Sequence, residues 1–301
     1  MKTPKGIGNL GNSCYLNAFI QIVSRLSPLN DMVYHMDTSY KQDCIYGDVW
    51  QNWRQICMIL HSQTDNEDSL YPQGLVSAIQ KAARENNQPF FIKKSQEDFT
   101  EFFIFFVECL HKYVKTSVDV EVKGKANNMR DNIAIAVCKK MKELYENDDY
   151  SRIKALFENI HVNCIYSKDS PDYSFSPDLC TVLNLHFSSD NENTNVYDCM
   201  DRMLLPQQMN DDGKWFNDKT NTYETAEKKM IIWKFPQLLV LCLQRFNLDG
   251  TKNNKRVHFP LVLDVRKYAE GYIQTEYIYD LVGICNHVGR PQFGHYTAFV
   301  K

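Results

Sequence analysis

The sequence lacks any apolar run long enough to cross a bilayer: its longest mainly apolar stretches, Phe102 to Val107 and Leu238 to Leu243, fall far short of the roughly 20 residues a spanning helix requires. It also lacks an export signal, because the basic start Met1-Lys2-Thr3-Pro4-Lys5 leads into Gly6 to Cys14, which is no apolar core. The expectation is an intracellular protein, cytoplasmic or nuclear, in a reducing compartment. Charge of one sign is missing too: 34 Lys and Arg stand against 37 Asp and Glu, a formal charge of −3, so bulk electrostatics gives no grip on a nucleic acid or an acidic membrane surface. There is no Cys-x-x-Cys pair. The 10 cysteines are scattered singly, neither a disulfide scaffold nor a zinc framework, and most are expected to be buried thiols acting as small apolar residues. No internal repeat, low-complexity tract or Pro/Gly/Ser linker interrupts the chain.

What remains is an ordinary globular composition, 44% apolar and 24% charged over 301 residues, enough for one large domain with a sizeable core. The first half carries helical periodicity. From Cys14 onward, Leu16, Phe19, Ile20, Val23 and Leu26 form an amphipathic stripe, with Ser13 as N-cap and Pro28 as the stop. A second helix is expected over about Gln96 to Tyr113, burying Phe99, Phe102, Phe103, Phe106, Leu110 and Tyr113, and a third from Met129 to Glu146 behind the capping residue Asn128. After Cys164 the texture changes to short segments separated by Asp, Asn, Ser and Pro. Strands are expected at Thr181 to Phe187, Leu238 to Phe246, Val257 to Val265 after an Asp249-Gly250 turn, Tyr277 to Cys285 and Tyr296 to Val300. Helices first and strands second give an α+β architecture.

A cysteine at a helix start is more often a core thiol than a nucleophile. Cys14, however, sits where first-turn amides and the helix dipole favour an anion, and a thiolate is what nucleophilic chemistry needs. Such a thiolate also needs a base. Among 8 histidines, His295 stands out, because Gly294-His295-Tyr296 opens a strand and the glycine leaves room beside the imidazole. Spacing by itself cannot pair two residues at opposite ends of the chain.

The stretch Gly6-Ile7-Gly8-Asn9-Leu10-Gly11-Asn12-Ser13-Cys14-Tyr15-Leu16-Asn17-Ala18 resembles the cysteine box of ubiquitin-specific proteases. Gly283-Ile284-Cys285-Asn286-His287-Val288-Gly289, followed by Gly294-His295-Tyr296-Thr297-Ala298-Phe299-Val300, resembles their histidine box. Gln96-Glu97-Asp98-Phe99-Thr100-Glu101-Phe102, Leu243-Gln244-Arg245-Phe246 and Phe259-Pro260-Leu261-Val262-Leu263-Asp264 lie between in the family's order, so the resemblance covers essentially the whole chain. It implies a papain-like cysteine protease fold of thumb, palm and fingers in a single catalytic domain, 1–301, with an antiparallel β C-terminal half. The implied parts are a helical thumb to about residue 155, fingers over about 156–235 and a palm over about 236–301 without its C-terminal strands. The implied activity is hydrolysis of the peptide or isopeptide bond after the C-terminal glycine of ubiquitin, without a cofactor. The expected partners are ubiquitin and ubiquitinated proteins, and the expected state is a monomer.

By the same resemblance Cys14 is the nucleophile, His295 the general base and then acid, and Asn9 the oxyanion donor. Asp98 and Glu101, one helical turn apart, would grip the arginines of the ubiquitin tail, with Gln96, Gly294 and Tyr296 as further substrate contacts. Gly289 and Gly294 would narrow the cleft to a glycine-glycine tail. Plainer readings stay open: Asn9 as a turn residue, the two carboxylates as a solvated face, the glycines as turns.

Three departures from the family pattern stand out. Phe293 occupies a place where the family usually has a small residue. The paired finger cysteines that hold zinc in many members are missing, with Cys164 unaccompanied and Trp215 to Lys229 free of cysteine, so metal-free fingers are expected. The family's third catalytic residue, an Asp or Asn that orients the histidine, follows the histidine box, whereas only Tyr296, Thr297, Ala298, Phe299, Val300 and Lys301 follow His295. The expectation is a shortened chain with an unpaired sheet edge and weak or absent turnover, in preference to a natural Cys/His dyad. Beside the leading function, a thiol deubiquitinase, stand a ubiquitin-binding module that no longer cuts and a protease for another ubiquitin-like modifier.

Overall fold

The computed structural model describes residues 5–38, 44–62, 69–93, 95–187, 194–247, 249–273, 276–290 and 293–301, so Met1 to Pro4 at the basic start lie outside it. The helical half comprises α1 (Cys14–Val23), α2 (Ser27–His35), α3 (Ile45–His61), α4 (Gln73–Glu85), α5 (Phe99–Val114), α6 (Met129–Glu146) and α7 (Arg152–Phe157). The strand-rich half runs β1 (Asn159–Ser167), β2 (Tyr173–Cys180), β3 (Leu183–Leu185), β4 (Thr194–Asn195), α8 (Val196–Met203), β5 (Gln207–Met209), β6 (Trp215–Asn217), β7 (Thr222–Glu224) and β8 (Ala226–Lys234). It closes with β9 (Leu241–Leu243), β10 (Val257–His258), β11 (Val262–Asp264), β12 (Ile278–Asp280), β13 (Gly283–Arg290) and β14 (Phe293–Val300). The chain is thus α+β, helical first and β second. No described helix is long and apolar enough to cross a membrane.

Local chemistry explains most boundaries, and some differ from those the periodicity predicts. α1 ends at Val23, and Pro28 does not merely stop it: it lies in the first turn of α2, where its fixed φ suits a helix start. α5 begins at Phe99, three residues later than expected, because Asp98 is its N-cap, accepting from the backbone N–H of Thr100 at 2.7 Å and of Glu101 at 3.0 Å. α6 spans the expected residues, with the Asn128 side chain accepting from the Asp131 N–H at 2.9 Å. Leu238 to Phe246 shortens to β9. Val257 to Val265 splits into β10 and β11 around Pro260, which cannot donate to a ladder.

The largest sheet orders β2-β1-β8-β5, all antiparallel, and β6 pairs β7 and β13 pairs β14 in the same sense. The C-terminal half is not wholly antiparallel, however, since β3–β9 and β4–β10 pair in parallel. Each joins segments far apart in sequence, with room for the long crossover that parallel pairing needs.

The main core belongs to the helices. Phe19 of α1 is fully buried, 4.9 Å from the Phe102 ring and 4.8 Å from the Phe106 ring of α5, both nearly edge-on, and 5.9 Å from Trp53 of α3. A second cluster joins Leu183, Leu185, Met200, Ile232, Phe235 and Tyr277, and a third lays Ile133 and Val137 of α6 on Val162, Cys164 and Ile231 of the large sheet. Of the cysteines, Cys14, Cys57, Cys109, Cys164 and Cys199 are buried, Cys180, Cys242 and Cys285 half-buried, and Cys44 and Cys138 exposed, so fewer lie inside than composition suggested.

Candidate active site

Cys14 is the first residue of α1 and is buried. The loop before it is pinned at both ends: Gly8 N–H donates to Leu70 O and Leu70 N–H to Gly6 O, each at 2.9 Å, while Asn17 Nδ2 donates to Ile7 O and Gly8 O at 3.3 Å. Asn9 organises the turn, its Oδ1 accepting from the Gly11 N–H at 2.9 Å and the Ser13 Oγ–H at 3.0 Å. Ser13 Oγ in turn accepts from the Leu10 N–H at 2.9 Å. Ser13 therefore holds the N-cap position without capping, because its hydroxyl is spent inside the loop, and the first-turn amides at Cys14 carry no side-chain cap. Gly11 and Asn12, at φ 89° and 52°, turn the chain into the helix through the left-handed region that glycine and asparagine tolerate best. Asn9 builds this turn with its carbonyl oxygen.

His295 lies on β14 opposite Val288 of β13, and α1 packs against β14. Strand alternation places Gly294, Tyr296, Ala298 and Val300 on the half-buried side, facing α5 through Tyr296, while Phe293, His295, Thr297 and Phe299 are exposed. No hydrogen bond joins Cys14 to His295 among the described residues. The cysteine helix and the histidine strand are packed neighbours. Phe293, 77% exposed, holds its ring out in solvent.

The segment leading into α5 reaches this strand. Gln96 Nε2 donates to Gly294 O at 2.7 Å, and the Gly294 N–H donates to Gln96 Oε1 at 3.2 Å. The Tyr296 hydroxyl donates to Asp98 Oδ2 at 3.5 Å, and its ring lies 6.4 Å from that of Phe99. Asp98 thus turns back onto the backbone as the α5 cap, with Glu101 exposed in the first turn three residues on. Partial burial, then Asp98 and Glu97, push the Glu101 carboxyl above its ordinary range.

Two features of this neighbourhood carry no sequence signal. Lys252, in the loop after β9, approaches His287 Nδ1 at 3.0 Å and donates to His287 O at 2.7 Å, beside Phe246, whose ring is 5.7 Å from the imidazole. Burial first, then the Lys252 charge, push His287 below the usual histidine value, so near neutrality its ring is uncharged and Nδ1 accepts the ammonium proton. Cys285, across β13 from Ala298, is a thiol that burial pushes well up, with Asp98 and Cys14 as further causes. Gly294 is required by this packing: a Cβ there would overlap the His287 Nε2 and lie 2.7 Å from Val288 O.

Cys164 lies buried in β1, its Sγ 3.8 Å from Val162 O. Among the described residues no group of three or more His, Cys, Asp or Glu side chains gathers to hold a metal ion.

A profile of the family described as ubiquitin carboxyl-terminal hydrolase matches residues 5–301. Ubiquitin carboxyl-terminal hydrolase 2 of Homo sapiens is 26% identical over 306 aligned residues, covering 98% of this chain and 49% of that protein. Ubiquitin carboxyl-terminal hydrolase 4 of Candida glabrata is 24% identical over 325, covering 98% of this chain and 36% of that one. Ubiquitin carboxyl-terminal hydrolase 9 of Arabidopsis thaliana is 33% identical over 137, covering 43% and 15%. The chain spans no more than about half the length of these relatives. The match runs over nearly every residue, and the class it defines has a papain-like fold. The chain belongs to the ubiquitin carboxyl-terminal hydrolase family.

Proposed function

We propose that this chain is the catalytic domain of a thiol deubiquitinase. The observation that carries the reading is the family match over residues 5–301, which includes both the helix that begins at Cys14 and the strand that bears His295. In the proposed reaction His295 takes the Cys14 thiol proton, and the sulfur attacks the carbonyl of the ubiquitin C-terminal glycine. The scissile C–N bond breaks as His295 returns the proton to the leaving amine, and water then hydrolyses the thioester. The Asn9 amide nitrogen would meet the developing oxyanion, its orientation fixed by the bonds that occupy its oxygen. Catalytic hydrogen bonds often tighten only in the complex, so substrate would draw sulfur and imidazole together.

The rest of the cleft supports a cationic, narrow ligand. Glu97, Asp98 and Glu101 crowd the start of α5, and the upward push on Glu101 is partly their mutual repulsion, which a guanidinium of the ubiquitin tail would relieve. Gly289, Gly294 and Tyr296 would form the floor for a glycine-glycine end. In this reading α1 to α7 form the thumb, the β2-β1-β8-β5 sheet with the β6–β7 hairpin the fingers, and the remaining strands the palm. The test is covalent capture by ubiquitin bearing an electrophile at its C-terminus: a Cys14 adduct in the intact chain and none in Cys14→Ala supports the reading. Ubiquitin binding without an adduct would favour a module that holds the modifier without cutting it.

A further inference from the structure

We propose that Gln96 is a positioning residue for His295, whose side-chain amide closes the outer edge of β14 at Gly294 as a neighbouring strand would and so fixes the backbone from which the imidazole projects. The inference rests on the thiol chemistry proposed above. Both halves of one amide serve one residue, Nε2 donating to Gly294 O at 2.7 Å and Oε1 accepting from Gly294 N–H at 3.2 Å, which is the exchange made between paired residues of an antiparallel ladder. Among the described residues β14 has a strand partner only in β13, so the two backbone groups that Gln96 takes would otherwise be unpaired.

The position matters as much as the bonds. Gly294 immediately precedes His295 and has no side chain by which to be held, since a Cβ there would run into His287. A glycine is the loosest link a chain can offer, so its backbone hydrogen bonds are the only fasteners available. On the far side of His295, the Tyr296 hydroxyl reaches Asp98 at 3.5 Å. One short segment, Gln96 to Asp98, thereby grips the strand on both sides of the histidine. That segment is anchored: Asp98 caps α5, and α5 packs through Phe102 and Phe106 onto Phe19 of α1, the helix that begins with Cys14. Gln96 therefore ties the histidine strand to the body that carries the cysteine. Catalysis between two such groups is sensitive to small displacements, of the order of 100-fold for about 1 Å.

The experiment measures capture of the intact chain by ubiquitin with a C-terminal electrophile as a function of probe concentration, giving a limiting rate and a half-saturating concentration. Gln96→Met keeps the volume and loses both bonds. Gln96→Glu keeps an acceptor for the Gly294 N–H but opposes a carboxylate to its carbonyl. Expected is a limiting rate about 10- to 100-fold lower for Gln96→Met with the half-saturating concentration unchanged, and a smaller loss for Gln96→Glu. Amide hydrogen exchange over 293–296 should speed up in the same order, which also reads the strand in a variant too unstable for kinetics. A raised half-saturating concentration with an unchanged limiting rate would overturn the proposal and make Gln96 a direct ubiquitin contact. Unchanged kinetics and exchange would overturn it outright. Failure of the unsubstituted chain to be captured is a different result: it removes the deubiquitinase reading itself, and the positioning role with it.

Discussion

Lys252 and His287 form a tether in which an ammonium serves one residue twice, 3.0 Å from its ring nitrogen Nδ1 and 2.7 Å from its carbonyl oxygen, with Gly289 O a third acceptor at 3.4 Å. The loop after β9 is thus fastened to the hairpin that carries the candidate base. The arrangement needs a neutral imidazole. Because His287 is held below the ordinary histidine value, its contribution is complete above about 6.5 and is lost as pH falls through the lower folded value. Hydrogen exchange across 287–290 should therefore accelerate as pH falls well below the ordinary histidine value of about 6.5, beyond the intrinsic pH dependence of exchange, and Lys252→Met should show the faster rate already at neutrality. A pH-independent protection ratio would refute the tether.

Phe19 is the ring around which α1, α3 and α5 assemble, and truncating a fully buried phenylalanine typically costs about 3–5 kcal/mol. Phe19→Ala should lower the chemical-denaturation midpoint by that measure. Phe19→Leu, which fills more of the volume, should lose less, and the pair of values separates cavity formation from loss of the aromatic edges.

Gly294→Ala should be severe although it adds one methyl group. Its Cβ would overlap the His287 ring from the neighbouring strand, so either the imidazole or β14 has to shift. Near-complete loss of ubiquitin-probe capture is expected with the global unfolding midpoint little changed, because the clash sits on an edge hairpin and not in the helical core. If capture survives intact, the close packing of His287 on Gly294 is not important to the site.

How much of this was legible beforehand depends on the range of the interaction. Helix α6 could be placed from its own residues because its stripe and the Asn128 cap are local, and the α+β order followed from the change in texture after Cys164. Pro28 reads as a terminator from sequence because a proline is equally at home just past one helix and at the start of the next, and only the packing of α2 decides. Asp98 reads as a first-turn residue of a helix from about Gln96 for a related reason: an aspartate before a run of phenylalanines fits both a cap and a first turn. The Gln96–Gly294 and Lys252–His287 contacts join residues 198 and 35 positions apart through backbone carbonyls, which leave no trace in side-chain pattern.

The last prediction concerns the far end of the large sheet, where the turn after β1 meets the β6–β7 hairpin. Glu224 is 4% exposed, and its carboxylate collects Ser167 Oγ at 2.6 Å, Ser170 Oγ at 2.8 Å, Thr220 Oγ1 at 2.6 Å and Asn217 Nδ2 at 2.9 Å. Asn217 also donates to Asp172, which pairs with Lys219 at 2.7 Å, so the knot adds side-chain bonds to the backbone bond from Lys168 N–H to Thr225 O at 2.8 Å. Hydrogen bonds to the charged form, led by those from Ser167 and Thr220, hold Glu224 down to about 2, against about 4.5 when unfolded. A depressed carboxylate stabilises the fold above its unfolded value and ceases to as pH falls toward its folded one, so this contribution should be intact above about 4.5 and drain away between there and about 2. Glu224→Gln replaces an oxygen that accepts hydroxyl protons with a nitrogen that cannot. The variant should melt lower than the parent at pH 7, with the gap closing as the solution is acidified through that window, and a chelator should leave the parent's midpoint at pH 7 unmoved. A gap that stays constant from pH 7 to 3 would mean the charge on Glu224 is not what holds the two turns together.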